Sequence, residues 1–499
     1  MNHRVRAGMI RSFRLRWMRL LLWSWILFSV SLSAQWLSAD VKQGNPPNIV
    51  VIMVDDMGYG DAACYNSESK IATPNIDQLA DDGMRFTDAH APGPLCHLSR
   101  YGLLTGRYPF RTNVARWRRQ PSIDEGRLTI ASLLKSQGYR TAMVGKWHLG
   151  FLEQGYDQPL PGGPVDRGFD SFFGIRASTD IPPYFYIRDR QVVAAPSEHI
   201  EARNTKGWSP IQGEFWRAGG MAPDLALKDV LPKFTDEAIR VIEEHSKQPS
   251  DPPLFLYLAY PAPHTPWLPS PEFQGISQAG MYGDFVTMTD AMIGRVLKAL
   301  EDAKMTDDTL LIFTSDNGPV WFEKDVERFG HDSSGGLRGM KADAWENGHR
   351  MPFVVRWPGK VDPQTVTDQL VCFTDLLATF AAIVGAELPD EVQHDSVNFL
   401  PVLAGTQAES DPVRENLVVA SGNGTMTIRD GDWKLITGLG SGGFSKPSRI
   451  QPKKDGPTGQ LYNLNDDRAE KHNLFLQHPD IVQRLESQLE AIRQKERTP

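Results

Sequence analysis

Five stretches of the chain are apolar at consecutive positions instead of alternate ones: NIVVIMV (48–54), TAMV (141–144), LFLYLAY (254–260), TLLIFTS (309–315) and PFVVRW (352–357). Continuous β-branched and aromatic runs of this length suit strands covered on both faces. Between them lie segments of helical periodicity. TPNIDQLADDG opens on Thr-Pro and closes on Gly83, and SIDEGRLTIASLLKSQG closes on Gly138. FTDEAIRVIEEHSK and YGDFVTMTDAMIGRVLKALEDA repeat the pattern. Strands alternating with helices predict an α/β domain around a large, mostly parallel central sheet. Residues 151–223, rich in Gly, Pro and aromatics, read as an excursion of loops. After FTDLLATFAAIVGAELP the character changes: NLVVA, TMTIRDG and DWKLITG succeed one another closely, then a Gly/Ser/Pro/Lys loop to Gly459, then a charged helix from about Pro479. The expected division is a main domain over 46–404 and a smaller C-terminal domain over 405–499, with an antiparallel sheet and a terminal helix.

The chemistry lies in the polar residues at the end of each apolar run. Residues 48–54 lead into Asp55 and Asp56, 141–144 into Lys146 and His148, 254–260 into His264, and 309–315 into Asp316 and Asn317. Ligands of open α/β sheets bind at the carboxyl ends of strands, so these groups should converge. Three carboxylates and an amide oxygen form a hard donor set suited to Ca²⁺ or Mg²⁺. Crowded together without a cation, they would repel. Lys146 and His148 are two apart, so an extended backbone would point both the same way. Cys96 stands before SRYGLLTG, which reads as a helix start. There the dipole would stabilise an anion and activate a nucleophile, with Arg100 one turn on. Lys341 lies between a Gly turn and an aromatic-acidic segment, and Asp180 in STDIPPYFY is a candidate pocket residue.

The N-terminus adds a destination. Six arginines and no acid precede LLLWSWILFSVSLSA, with small residues at Ser33 and Ala34. This is the layout of a secretory signal over 1–39, and the run is too short for the ~20 residues of a bilayer span. An exported chain, periplasmic or secreted and without stable membrane insertion after cleavage, is expected. Losing those arginines takes the net charge from −8 to −14, which excludes a nucleic-acid partner and requires any anionic ligand to find its positive counterpart locally. Three cysteines are too few for a disulfide framework.

CHLSRYGLLTGRYP resembles the signature of type I sulfatases, and VDDMGYGD, TPNIDQLADDGMRFTDAHA, GKWHLG, APHTP, SDNG, LRGMK and LYNLNDDRAEKHNL stand in the order that family has them. The resemblance implies an alkaline-phosphatase-like sandwich and hydrolysis of an aryl or carbohydrate sulfate ester. Cys96 would be oxidised to formylglycine by a maturase, its hydrated aldehyde being the nucleophile. Asp55, Asp56, Asp316 and Asn317, with the modified residue, would hold one Ca²⁺. Arg100 and Lys146 would steady the hydrate and the sulfate, and His148 would contact the nucleophile. His264 and Lys341 would grip sulfate oxygens or serve the leaving group. Clustered cations suit an ester whose charge sits on non-bridging oxygens.

The family pattern has Pro or Ala where this chain has Leu98. Losing that rigidity removes preorganisation when the unfolded segment docks in the maturase, so at least partial conversion of Cys96 is expected. Two alternatives remain open on sequence: a metal-dependent phosphatase using the unmodified thiol, and a catalytically silent binder of sulfated glycans. The ligand is a sulfated small molecule or polysaccharide fragment.

Overall fold

The computed structural model describes residues 46–247, 252–390 and 395–495; the expected signal segment lies outside them. A ten-stranded sheet runs through the molecule. Its strands are β1 (Asn48–Asp55), β2 (Met84–Phe86), β3 (Arg140–Lys146), β4 (Ser171–Ile175), β5 (Ile187–Arg188), β6 (Gln191–Val192), β7 (Leu254–Pro263), β8 (Thr309–Ser315), β9 (Phe353–Arg356) and β10 (Thr365–Thr367). In space they lie in the order β10-β2-β9-β8-β1-β7-β3-β4-β5-β6. The five central strands, β8 to β4, are parallel, and β9 on one side and β5 on the other turn antiparallel. Every residue of β7 and β8 is buried, because helices cover both faces. α1 (Pro74–Asp81), α4 (Val230–Ser246) and α5 (Gly280–Asp302) pack together, and α2 (Cys96–Thr105), α3 (Ile130–Ser136) and α7 (Asp375–Val384) form a second group. A short α6 (Glu323–Phe329) lies between α5 and α7 in the chain.

The central strands fall where the apolar runs predict them. The loop reading of 151–223 fails first at Ser171–Ile175, a sheet strand with Met143 opposite Phe172 and Val144 opposite Phe173, and again at the short strands Ile187–Arg188 and Gln191–Val192 and the pair Glu198–Ile200 with Gly219–Met221. Five residues flanked by Gly and Pro are too short to show a period, and partners 29 residues away supply the ladder. The predicted helix over 122–138 also shrinks to Ile130–Ser136, where Thr129 closes a capping box with Ser132.

A separate antiparallel sheet comes next, in the order β11 (Asn416–Ala420), β12 (Met426–Asp430), β13 (Trp433–Ile436) and β14 (Gln460–Asn463). Helix α8 (Pro479–Gln494) closes it with Val482, Leu485 and Leu489, against a core that also takes Tyr108, Leu370 and Cys372 from the main body. Strand β14 comes from LYNLNDDRAEKHNL, a segment periodicity leaves unassigned.

Buried charge joins the two sheets. Lys434 on β13 places Nζ 2.9 Å from Glu346 Oε1 and 2.9 Å from Glu470 Oε1. Arg350 bonds the other oxygen of Glu346 at 2.7 Å and reaches Asp88 at 2.7 Å. Between them His90 Nδ1 and His349 Nδ1 lie 2.9 Å apart. Burial holds both imidazoles below their usual pKa, so each is neutral. Since ionised Asp88 accepts from His90 Nε2 at 2.8 Å, His90 Nδ1 must be the acceptor and His349 Nδ1–H the donor. That leaves His349 Nε2 to accept from Lys434 Nζ at 3.4 Å.

These charge states make stability depend on pH in two windows. Both imidazoles titrate below 6.5 when folded, so their contribution is complete above pH 6.5 and is lost as pH falls below it. Asp88 and Glu346 are buried, yet Arg350 with Arg429 at the first and Lys434 with Arg350 at the second keep them below the carboxylate range. Their contribution fades only below about pH 4. Urea unfolding at pH 7.5, 6 and 5 should show declining stability. Lys434→Met, which removes the cation paired with buried Glu470 and one of the two paired with Glu346, should cost about 3–5 kcal/mol at pH 7.5.

Candidate active site

The register of the parallel strands brings the sequence candidates to one edge. Met53 pairs with Ala259, Val54 with Ser315 and Ala259 with Gly145, so the residues after each strand leave the sheet side by side. Gly145 makes this possible: at φ +117° a Cβ would lie 2.0 Å from the Ala259 carbonyl oxygen. Asp56 and His148 then leave their strands through left-handed backbone, at φ 65° and 58°.

Three buried carboxylates meet three buried cations here. Lys146 Nζ bonds Asp55 Oδ2. Arg100 donates from Nε at 3.0 Å and NH2 at 2.7 Å to Asp316 Oδ2, and NH2 lies 3.6 Å from Asp55 Oδ2. Lys341 Nζ donates to both oxygens of Asp56, at 2.6 and 2.8 Å. Burial opposes the ionised form of Asp55, but Lys146, His264, Arg100 and Lys341 outweigh it and hold that carboxyl well below the usual range. Asp316 moves the other way, raised by burial and by Asp55.

Cys96 is the first residue of α2, as its motif predicts, and lies within this ring. Its Sγ is 3.3 Å from Asp55 Oδ1 and 3.4 Å from Lys341 Nζ. The expectation of an activated thiolate is overturned. Burial, then Asp316 and Asp55, push the thiol far up, against Lys146 and Lys341. Two carboxylates and dehydration defeat one helix dipole.

The backbone expected between Lys146 and His148 needs correction. Strand β3 ends at Lys146, and His148 follows in left-handed backbone instead of the extended backbone expected. Lys146 turns to Asp55. His148 is buried with its ring edge-on to Trp117, centroids 4.2 Å apart, and neither ring nitrogen has a hydrogen-bond partner. Burial first, then Lys146, His97 and Arg100, hold it well below its ordinary pKa. It is a neutral imidazole with an unused basic nitrogen.

His264 stands just past the end of β7. Its Nδ1 lies 2.6 Å from the Thr265 carbonyl, which can only accept, so Nδ1 carries the proton. Nε2 faces Asp56 Oδ2 at 3.6 Å. Asp180 is buried beside it, with Oδ1 4.0 Å from His264 Nδ1 and no donor on that oxygen. Its other oxygen is bound by Arg217, a residue no sequence signal marked. Asp61 was visible only as part of its motif. It anchors the Asp56 loop by accepting from Gly58 N at 2.6 Å and from Tyr282 OH, and it bonds His331 at 2.8 Å.

The donors fit a hard divalent cation. Asp55, Asp56, Cys96 and His264 place ligand atoms within 4.8 Å of one another. Asn317 gives its Nδ2 to Asp56 Oδ1 at 2.6 Å and to Gly318 O at 2.9 Å, leaving Oδ1 buried without a partner. With carboxylates and cations balanced at three each, a divalent ion would give the pocket a positive charge, the sign an anionic ester requires.

Comparison with known proteins places this geometry. The Sulfatase family model matches residues 47–386. An N-acetylgalactosamine-6-O-sulfatase of Bacteroides thetaiotaomicron is 34% identical over 490 residues, covering 91% of this chain and 94% of the relative. Human arylsulfatase A is 36% identical over 379 residues, covering 74% of this chain and 70% of the relative. A solved B. thetaiotaomicron structure, described under the metabolism of multiple glycosaminoglycans, superimposes with a TM-score of 0.79 at 32% identity, covering 91% of this chain and 100% of the other.

The thiol environment has a direct readout. Protein carrying unmodified Cys96 should resist iodoacetamide at pH 8 when folded and react readily in urea. Rapid labelling of that cysteine in the folded protein, read by peptide mass spectrometry, would contradict the buried protonated thiol.

Proposed function

This chain belongs to the sulfatase family and is a sulfuric ester hydrolase; from that premise we propose that it cleaves a carbohydrate sulfate ester, with Cys96 converted to formylglycine and one Ca²⁺ held by Asp55, Asp56, Asp316 and Asn317. The observation that carries this reading is the ring itself: position 96, between Asp55 and Lys341, is enclosed by Lys146, Lys341 and Arg100. An unmodified thiol so strongly held in its protonated form would be a poor nucleophile, which favours conversion over the phosphatase alternative. The similarity to a hexosamine 6-sulfatase makes a 6-sulfated hexosamine the first substrate to test.

A hydrated formylglycine would supply an oxygen nucleophile and a second hydroxyl whose deprotonation releases sulfate, and Ca²⁺ would supply charge for the non-bridging oxygens. The chain's own groups do the rest. Lys146, Lys341 and Arg100 are prepositioned cations whose geometry costs no reorganisation as negative charge shifts toward the departing oxygen. Asp316, with its raised pKa and its Oδ2 fixed by Arg100, suits taking a proton from the attacking hydroxyl. His264 Nε2, its ring oriented through Nδ1 to Thr265, suits giving one to the departing alcohol, with Lys341 as the other candidate. Neutral His148, with a free ring nitrogen, suits removing the second hydroxyl proton. Asp180 would line the pocket beside His264.

The remaining elements are part of the same proposal: export after loss of 1–39 to the periplasm or medium, action of a formylglycine-generating maturase before folding, a catalytic domain over 46–404 and a C-terminal subdomain over 405–499. Folded, Leu98 packs against Gly93, where a Cβ would meet its own Cβ at 2.6 Å.

Mass spectrometry of the peptide ending at Arg100 should find the aldehyde at position 96. A thiol alone, from the native host, would refute the mechanism. Cys96→Ala should abolish hydrolysis of a chromogenic aryl sulfate, and the matching aryl phosphate should be a poor substrate for the parent. His264→Ala should lower kcat by about 10²–10⁴-fold on an alkyl or sugar sulfate, and far less on a nitrophenyl sulfate, whose leaving group departs without a proton. Chelation with EGTA should remove activity, and Ca²⁺ should restore it.

A further inference from the structure

We infer that the loop over residues 438–459 is a basic strap that binds a second anionic group of a sulfated polysaccharide, outside the site of ester cleavage. The inference rests on the reading of the site above and extends it to a substrate longer than one sugar. The strap carries four cations, Lys446, Arg449, Lys453 and Lys454, and a single carboxylate, Asp455, in a chain whose net charge is −8. All four cations are exposed. No ion pair holds any of them among the described residues; Arg449 only donates from NH2 to the Asn423 carbonyl at 3.4 Å. Phe444 and Ile450, 36% and 47% exposed, add apolar surface to the same loop, a combination that suits the mixed apolar and anionic faces of a sulfated sugar chain.

The strap is fastened to the catalytic rim by its backbone. Ala344 N donates to Ser441 O at 2.7 Å, and Ser445 N donates to Asp343 Oδ1 at 3.1 Å. Gly443 lies so close to Ala342 that a Cβ would meet its carbonyl carbon at 2.2 Å. Ala342 adjoins Lys341 and is held in left-handed backbone, at φ 71°, by bonds to Pro94 O and from Gly422 N, both 2.7 Å. The strap closes on itself through Ser441 N to Pro447 O at 3.1 Å and Gly442 N to Ser448 O at 2.9 Å. Free positive charge is therefore presented at a fixed place a few residues from a sulfate-binding lysine.

The test uses the full-length, matured protein with dextran sulfate as polyanionic probe and neutral dextran of equal length as control. The expected result is binding of dextran sulfate alone, with affinity falling as salt rises. The variant carrying Lys446→Gln, Arg449→Gln, Lys453→Gln and Lys454→Gln should bind about tenfold more weakly with a shallower salt dependence. Its kcat/KM on a chromogenic aryl monosulfate, too small to reach the strap, should match the parent. Polymer affinity unchanged by the four substitutions overturns the strap. A parallel loss of aryl sulfate hydrolysis also overturns it, by giving the loop a structural role. A parent protein that binds dextran sulfate through these residues yet hydrolyses no sulfate ester refutes the catalytic reading instead.

Discussion

Three buried carboxylates facing three buried cations around one side chain form the constraint on which the rest of the molecule depends. Removing six charges from water costs far more than any single contact returns. The arrangement persists because Asp55, Asp56 and Asp316 on one side and Arg100, Lys146 and Lys341 on the other are fixed by elements whose own packing holds them there. The sheet supplies that packing. Its five parallel strands are covered on both faces, and their register brings their carboxyl ends to one edge of the sheet. The balance also means that a divalent cation, if held by these carboxylates, would give the ring a net positive charge.

Lys341 shows why the smaller sheet belongs to the site. It comes from neither strand nor helix but from a loop held by Pro319 and Pro94 on one side and by Gly422, Ser441 and Ser445 on the other. The buried ladder from Lys434 through His349 and His90 to Asp88 ties that same stretch to β13. Placing Lys341 and docking the smaller sheet are thereby one structural problem. Ionised groups fix the position of a seam that is apolar around Tyr108, Leu370 and Cys372.

The legibility of the chain in sequence tracks the range of the forces involved. Strands β1, β7 and β8 were readable because burial on both faces writes itself as an unbroken apolar run, and helices α4 and α5 because a 3.6-residue period survives over many turns. Strand β4 was not, since five residues between glycines and prolines carry no period, and their ladder is supplied by β3. At the site, the polar residues after each strand marked themselves by position. The thiolate expected at Cys96 was a local inference from a helix start, and it failed because Asp55 and Asp316 arrive from strands 41 and 220 residues away in sequence.

The sequence alone determined the inventory: which strands would be central, which groups would sit at their ends, that a hard cation suited them and that a family motif ran through them in order. Tertiary structure decided protonation and pairing. It set a protonated thiol, a neutral unpartnered His148, an Asp180 tethered by Arg217 beside His264, and a basic loop fastened next to Lys341. The reason is that patterning and turn chemistry act between neighbours along the chain. Desolvation and Coulomb forces depend on distance in space and on the exclusion of water, neither of which exists until the sheet has closed.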